Sequence, residues 1–237
     1  MASEPKFVLV YPYVLNGAIG YKAKSERMVK TYLENPSGYD HETVVVCNGH
    51  KVTDEAKLLF EPLPNLTFIE HDNTGWDLGA FQLAAKTITA DIMMFLGGSV
   101  YFRKPNWLLR AVNAYLEHGP TLYGACADMG AIPLAVKPNM VWPHIRTCSF
   151  WCPPSFINDY PKKAKGKDFG GDRYLMEHGP FSLTAWCISK GYEPMVVSFY
   201  GTFTMKELEK SGSYHVGNQE ALLIGDSHTE PPFWHCS

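Results

Sequence analysis

Two stretches of this chain gather residue types that could hold a polar ligand, and they lie a short way apart. The first is Asn73-Thr74-Gly75-Trp76-Asp77-Leu78-Gly79-Ala80, and the second is Gly97-Gly98-Ser99. In the first, Asn73, Gly75, Asp77 and Gly79 fall at alternate positions just where a helix should begin. Gly75 and Gly79 would let a backbone or a ligand approach closely. Asp77 could cap the helix through the amides of its first turn, or it could meet the hydroxyls of a ribose or a sugar.

The elements that must position these residues follow from apolar periodicity. Phe7-Val8-Leu9-Val10-Tyr11 and Thr43-Val44-Val45-Val46-Cys47 are unbroken apolar runs, as expected of strands buried on both faces. Leu66 to Ile69 and Asp91 to Leu96 read as a third and a fourth strand. Helices are expected over Lys24 to Leu33, over Asp54 to Phe60 behind a Thr53 cap, and over Leu78 to Thr87. Trp107 to Leu116 reads as a further helix and Leu122 to Cys126 as a further strand. This alternation predicts an α/β fold with a mainly parallel, Rossmann-like central sheet and helices on both faces.

In an open parallel sheet, ligands bind outside the carboxyl ends of the strands, near a point where the strand order reverses. Those ends are Tyr11-Pro12, Asn48-Gly49, His71-Asp72-Asn73 and Gly97-Gly98-Ser99, all small or polar beyond Tyr11 and Pro12. The Asn48 carboxamide has a donor and acceptors suited to the edge of a nucleobase, though an Asn-Gly turn explains it equally well. Together these positions read as the floor of a nucleotide-sugar site.

The texture changes after about Asp128. Prolines accumulate at positions 133, 138, 143, 153, 154 and 161, and short apolar pieces replace the regular alternation. This half reads as strands and loops folded onto the sheet. Helical pieces are expected over Asp172 to Glu177 and over Ser182 to Ser189, the latter closed by Gly191. Pro194 to Phe199 reads as a last strand, with a short helix near Met205 to Lys210 in the tail.

Composition narrows the class. The chain has 237 residues and a net charge of -3, so no basic field recruits nucleic acid. The one basic run, Lys162-Lys163-Ala164-Lys165-Gly166-Lys167, reads as a solvated loop or as a lid over an anion. Loop aromatics such as Trp142, Trp151, Phe233 and Trp234 could pack beneath the loops or stack on sugar rings. Cys47, Cys126 and Cys187 sit in apolar runs, and Cys148 and Cys152 have no second pair at zinc-finger spacing. No leader and no apolar span of membrane length is read, so a cytoplasmic, reduced protein is expected.

At the level of motifs, NTGWDLGAF followed by a helix and ADIMMFLGGSVYFRKPNWL resembles the donor-binding core of GT-A glycosyltransferases of the family 2 type. It is also similar to the rhamnan-synthesis glycosyltransferases. Pro105-Asn106-Trp107-Leu108 matches the family's proline-x-tryptophan-leucine segment. Tyr174-Leu175-Met176-Glu177-His178-Gly179-Pro180-Phe181-Ser182-Leu183, then Trp186 and Lys190-Gly191-Tyr192, resembles its glutamate-aspartate helix. The likeness runs from Phe7 to Ser198 in order and spacing. It implies one GT-A domain over residues 1–237, with a donor half at 1–127 and an acceptor half and tail at 128–237.

The resemblance implies sugar transfer from a nucleotide-sugar donor to a saccharide or other hydroxyl acceptor, with inversion. It implies that Tyr11, Pro12, Asn48, Asn73, Gly75, Asp77, Gly79, Gly97, Gly98 and Ser99 line the donor. Glu177 then becomes the candidate base, with His178, where the family has its second acid, able to share the task. One departure matters: Gly97-Gly98-Ser99 stands where the family has its metal-binding aspartates. No metal ligand set is assigned, and a divalent cation such as Mn2+ or Mg2+ is not expected to bind in the usual way. Cations would take over at the diphosphate, with Arg173, Arg146, Lys22 and His228 as candidates. His228, in a tail of the kind that folds over the donor, is also the position to which the family's histidine metal ligand would carry over.

Two other readings remain from the residues alone. A scaffold of this kind could bind a nucleotide-sugar or a glycan without transfer. A nucleotidyltransferase would need a loop richer in glycine and arginine than Tyr13 to Tyr21. A serine hydrolase is not favoured, because Gly98-Ser99 lacks the flanking glycine of a nucleophile elbow.

Overall fold

The computed structural model describes residues 4–15, 21–128, 143–161, 176–213 and 219–230. Its first half alternates β1 (Phe7–Tyr13), α1 (Tyr21–Glu34), β2 (Glu42–Asn48), α2 (Asp54–Phe60), β3 (Leu66–His71), α3 (Trp76–Thr87) and β4 (Ile92–Leu96). A two-residue strand β5 (Tyr101–Phe102), helix α4 (Trp107–His118), and short strands β6 (Tyr123–Gly124) and β7 (Ala127–Asp128) follow. The second half contributes β8 (His144–Ile145), β9 (Ser149–Cys152), α5 (Pro154–Asp159), α6 (Leu183–Ser189), β10 (Met195–Ser198), β11 (Gly201–Thr204) and β12 (Ile224–Gly225).

Eight strands form the central sheet in the order β11-β10-β6-β9-β4-β1-β2-β3. The β1–β2, β2–β3, β1–β4 and β6–β10 pairs are parallel, and the pairs of β9 with β4 and β6 are antiparallel. Strands from both halves therefore share one sheet.

All seven residues of β1 are buried, as its apolar run demands of a strand covered on both faces. Its side chains alternate between two cores. Leu9, Tyr11 and Tyr13 meet Met28 of α1, Phe60 of α2 and Trp107 of α4. Val8 and Val10 meet Phe81 of α3, Ile157 of α5 and Leu183 of α6. Helices α1, α2 and α4 thus cover one face, and α3, α5 and α6 cover the other.

Several elements extend beyond their sequence expectation, and others were not foreseen, among them α5, β9 and β11. β1 runs through Pro12, a residue that normally ends central strands. Its register with β4 stops at Val10, while that with β2 continues to Tyr13. The Pro12 carbonyl lies on the Gly98 side, 3.7 Å from where a Gly98 side chain would start. The N–H that proline lacks would point the same way, past the end of β4, so no ladder bond is lost. Of the unforeseen strands, β9 matters most, because it slots between β4 and β6. There Phe150 stacks on Phe95 with centroids 5.0 Å apart, and Trp151 stacks on Tyr123 at 5.9 Å. The tail helix is a single 3-10 turn, Leu208–Ser211. The expected helix over Asp172 to Glu177 lies mostly outside the described residues, as does the Lys162 to Lys167 run.

Where β2 begins, His41 ties three elements together. Its Nδ1 lies 2.9 Å from the Tyr39 carbonyl, its Nε2 lies 3.2 Å from the Tyr32 hydroxyl, and its ring meets Trp107 edge-on. Burial pushes its pKa down, only partly offset by the Tyr39 carbonyl. The unfolded chain therefore takes up a proton that the folded chain resists, and His41's contribution is full above about pH 6.5 and fades as pH falls below it. Urea titrations at neutral and mildly acid pH should show a smaller loss of stability in a His41→Gln variant than in the unsubstituted protein.

Candidate functional site

The strand order reverses at β1. From it the chain steps outward to β2 and β3, then returns to place β4 on the other side. The crevice beyond the carboxyl ends of β1 and β4 is the position where ligands bind in open α/β sheets. Gly97, Gly98 and Ser99 form its floor. The Gly97 amide donates to the Cys148 carbonyl at 2.7 Å, which fastens β9 to this corner. Tyr11 reaches the same corner from within: its hydroxyl donates to the Gly98 carbonyl at 3.2 Å and lies 2.9 Å from Ser25 Oγ on α1. Neither Gly97 nor Gly98 is among the described residues with positive φ, and a Cβ on either would make only ordinary contacts, at 3.4 Å or more. Neither backbone strain nor crowding at Cβ forces glycine here.

A second group gathers at the ends of β2 and β3. Asn48 is buried, and its Oδ1 lies 2.7 Å from His71 Nδ1, which is also 3.2 Å from the Asn73 amide nitrogen. Burial lowers the His71 pKa, partly offset by Asp72. The loop that follows is strained: Asn73, Gly75 and Trp76 have φ of 67°, 73° and 54°. Left-handed backbone at an asparagine is tolerated, but at a tryptophan it is unusual and is held only by its surroundings. Trp76 is 42% exposed. Gly75 is the residue that caps α3, so Asp77 stands in the first turn, where its charge complements the helix dipole. Gly79 is required by space: a Cβ there would lie 1.8 Å from the Thr74 carbonyl oxygen and 2.8 Å from the His71 ring.

The third group is assembled from the second half. Arg146 is buried, and its Nη1 lies 3.0 Å from Asp226 Oδ2 while its Nε lies 3.9 Å from Glu177 Oε1. The Thr147 hydroxyl donates to Glu177 Oε2 at 2.9 Å. Because Cys148 bonds to Gly97, Thr147 and Glu177 stand just beyond the end of β4. His178 and His144 pack ring against ring, with centroids 4.4 Å apart and planes at 70°. His144, Glu177 and His178 each offer a ligand atom, and these atoms all lie within 4.8 Å of one another. Burial lowers the His178 pKa, with Glu177 opposing and His144 reinforcing.

Asp226 arrives on a strap that crosses this corner. β12 pairs with β5, and the Arg103 amide donates to the Leu223 carbonyl at 2.9 Å. The Ser227 hydroxyl donates to Ser99 Oγ at 3.2 Å, and the His228 amide donates to Asp226 Oδ1 at 2.6 Å. Glu230 pairs with Arg27 of α1. Burial pushes the Asp226 carboxyl upward, but Arg146, the Cys148 thiol and the His228 amide outweigh it and hold the pKa below its ordinary value.

The structure thus collects Tyr11, Pro12, Gly97, Gly98, Ser99, Arg146 and Glu177 at one corner. Asn48, Asn73, Gly75, Asp77 and Gly79 collect at the neighbouring strand ends. His228 is exposed, and its backbone is what engages Asp226. Lys22 pairs with Glu55 of α2 at 2.5 Å. Arg173 lies outside the described residues. His144, Thr147 and Asp226 were not singled out from the sequence. Only the polar density of the segment around Asp226 marked that one. A separate cleft of about 280 Å3 between α4 and the β10–β11 turn contains none of the residues named for the site.

The Gly97–Ser99 segment itself carries no acidic side chain that could ligate a divalent ion. Gly97 and Gly98 offer no side-chain ligand, and the Ser99 hydroxyl is engaged by Ser227. Asp226, the acid on the adjoining strap, is buried against Arg146.

No family model matches the chain, and no curated protein matches it. Solved structures do. The mannosyltransferase PcManGT from Pyrobaculum calidifontis, in complex with GDP-Man and Mn2+, aligns with a TM-score of 0.54 at 15% identity, over 81% of this chain and 54% of that one. S. aureus TarS aligns at 0.45 and 16% identity, over 73% of this chain and 34% of that one. A shorter form of TarS in complex with UDP aligns at 0.49 and 14% identity, over 72% and 53%. The chain thus spans between a third and somewhat over half of these proteins. The likeness to the mannosyltransferase identifies the fold as that of a glycosyltransferase, with its mostly parallel sheet flanked by helices.

Two substitutions probe how the site is held. Gly79→Ala should lower the unfolding free energy by about 1–3 kcal/mol or more, since backbone must shift to admit the methyl group. Asp226→Asn should cost about 3–5 kcal/mol by leaving a buried guanidinium under-compensated, and an Arg146→Met/Asp226→Leu pair should recover part of that loss. Chemical denaturation of the three variants checks both.

Proposed function

We propose that this protein is a glycosyltransferase that moves a sugar from a nucleotide-sugar donor to a saccharide or other hydroxyl acceptor, inverting the anomeric centre. The observation that carries the proposal is the Glu177 carboxylate, fixed by Thr147 and flanked by Arg146, just past the end of β4 at the switch point of a glycosyltransferase sheet.

The chemistry asks for two things. An acceptor hydroxyl must lose its proton as it attacks, and negative charge must be stabilised as the nucleoside diphosphate leaves. Glu177 supplies the base: its side chain is 15% exposed, open enough to meet an acceptor yet held in one orientation by Thr147. His178 adjoins it and, with its pKa lowered by burial, stays neutral and able to accept a proton. The diphosphate is assigned to the Gly97–Ser99 corner, where the backbone comes close. Arg146 contributes positive potential from behind that corner, muted by its pairing with Asp226. The strand ends at Asn48 and Asn73 to Gly79 are assigned to the nucleoside, with exposed Trp76 as an apolar surface beside them. The mannosyltransferase with GDP-Man bound supports a nucleotide-sugar as the donor class.

Thermal-shift measurements with UDP-, GDP-, TDP- and CMP-sugars, with and without Mn2+, should find one nucleotide family that raises the melting temperature. With that donor, Glu177→Gln should still bind but lose turnover by about 100-fold or more. A Glu177→Gln protein with full transferase turnover would remove Glu177 from the mechanism. Donor binding with no product from any acceptor would instead favour a non-catalytic binding protein on the same scaffold.

A further inference from the structure

We infer that His144, Glu177 and His178 form a binding site for a first-row divalent transition-metal ion of the zinc class. The inference stands on the donor set and its geometry, independently of whether the protein transfers sugars.

Three separate facts point to a metal. First, the ligand atoms of two imidazoles and one carboxylate lie within 4.8 Å of one another. Ligands on tetrahedral zinc, with metal bonds of about 2.0–2.2 Å, lie about 3.3 Å apart, so closing this cluster asks for shifts of about 1–1.5 Å. Second, the chain reaches this arrangement from two unrelated segments. His144 comes from β8, which is anchored to β7 by the Asp128–His144 pairing, and Glu177-His178 come from the end of a helical segment before α6. Third, the carboxylate already has an orienting partner of the kind that surrounds metal ligands: the Thr147 hydroxyl on Oε2 at 2.9 Å.

The surroundings allow a cation. His144 is buried, and Glu177 and His178 are half-buried. Among the described residues Arg146 is the cation that pairs with Glu177, at 3.9 Å, but Asp226 holds it more closely, at 3.0 Å, and offsets its charge. With neutral histidines the group of Arg146, Asp226, Glu177, His144 and His178 carries one net negative charge before an ion enters.

The donor set also selects among ions. Two imidazoles with one carboxylate suit zinc, cobalt or iron rather than magnesium or calcium, which prefer all-oxygen ligands. Affinity should rise from Mn2+ through Co2+, with Zn2+ also above Mn2+. A metal-bound carboxylate is a poor base, so a filled site would take Glu177 out of the proton-transfer role proposed above.

The test uses the full chain, stripped with a chelator and titrated with Co2+, whose visible absorption reports low-coordinate nitrogen and oxygen ligands. One equivalent should bind with an intense visible spectrum and be displaced by Zn2+ but not by Mg2+. His144→Ala and His178→Ala should each weaken binding by more than about tenfold, a loss that even changes in the outer shell can produce. Glu177→Gln keeps the volume and the Thr147 contact. It should weaken binding while leaving the circular dichroism spectrum unchanged, which guards against misfolding of the histidine variants. Equal Co2+ binding by the unsubstituted protein and the His144→Ala/His178→Ala double variant would overturn the inference, as would no Co2+ spectrum at all. Nucleotide-sugar thermal shifts on the same samples report separately on the transferase proposal.

Discussion

A guanidinium taken out of water must find counter-charge nearby, and that constraint on Arg146 organises the corner of the molecule where the candidate site lies. An uncompensated buried charge costs several kcal/mol, more than any single contact around it returns. Arg146 lies three residues before β9 and meets that requirement with two acids from distant parts of the chain, Asp226 from the strap and Glu177 from the helical segment before α6. Each contact pulls in further structure. Asp226 brings the Ser227–Ser99 bond and the β12–β5 pairing, while Glu177 brings Thr147 and the two histidines. Without the pair, the strap and the Glu177 segment would have much less reason to converge.

The sheet explains why they converge at the end of β4 and nowhere else. β9 runs antiparallel to β4, so the residues that precede it, Arg146 to Cys148, must emerge beside the residues that follow β4. The Gly97–Cys148 backbone bond fixes that adjacency at one point. A fold that places aspartates after β4 can build its cation site from one strand. Here the glycines after β4 are not demanded by backbone strain or by crowding at Cβ, and the charged groups come from across the sheet. The charged groups at this corner are carried by the segments before β9 and α6 and by the strap.

Much of the first half was legible because its signals are local. Continuous apolar runs marked β1 and β2, and the α2 cap was read correctly: Thr53 Oγ1 accepts from the Ala56 amide at 3.1 Å. Ser182 caps α6 in the same way, through the Ala185 amide. β9 was missed because a four-residue strand flanked by prolines has too few positions to show a period, and its place in the sheet is decided by distant partners. The Asp77 cap went wrong for a related reason. Left-handed Asn73 and Gly75 start α3 earlier than its apolar pattern does. Glu177 and Arg146 could be named from motif and residue type, but the fact that they meet could not. Their contact spans loops with no shared periodicity, and His144 carried no signal in sequence at all.

The two acids beside Arg146 show how one buried cation can sustain two different carboxylates. Asp226 is 1% exposed in its side chain, takes the closer guanidinium contact and accepts the His228 amide. Its pKa is held down against the pull of burial, which keeps it ionised as a fixed counter-ion. Glu177 is 15% exposed, sits farther from the guanidinium and shares its other oxygen with a neutral hydroxyl. Environments that treat two carboxylates differently are how active sites divide structural from chemical work. Of the two, Glu177 is the carboxylate more open to a ligand. Asp226, though closer to the charge, is the one that cannot be spared from holding the corner together.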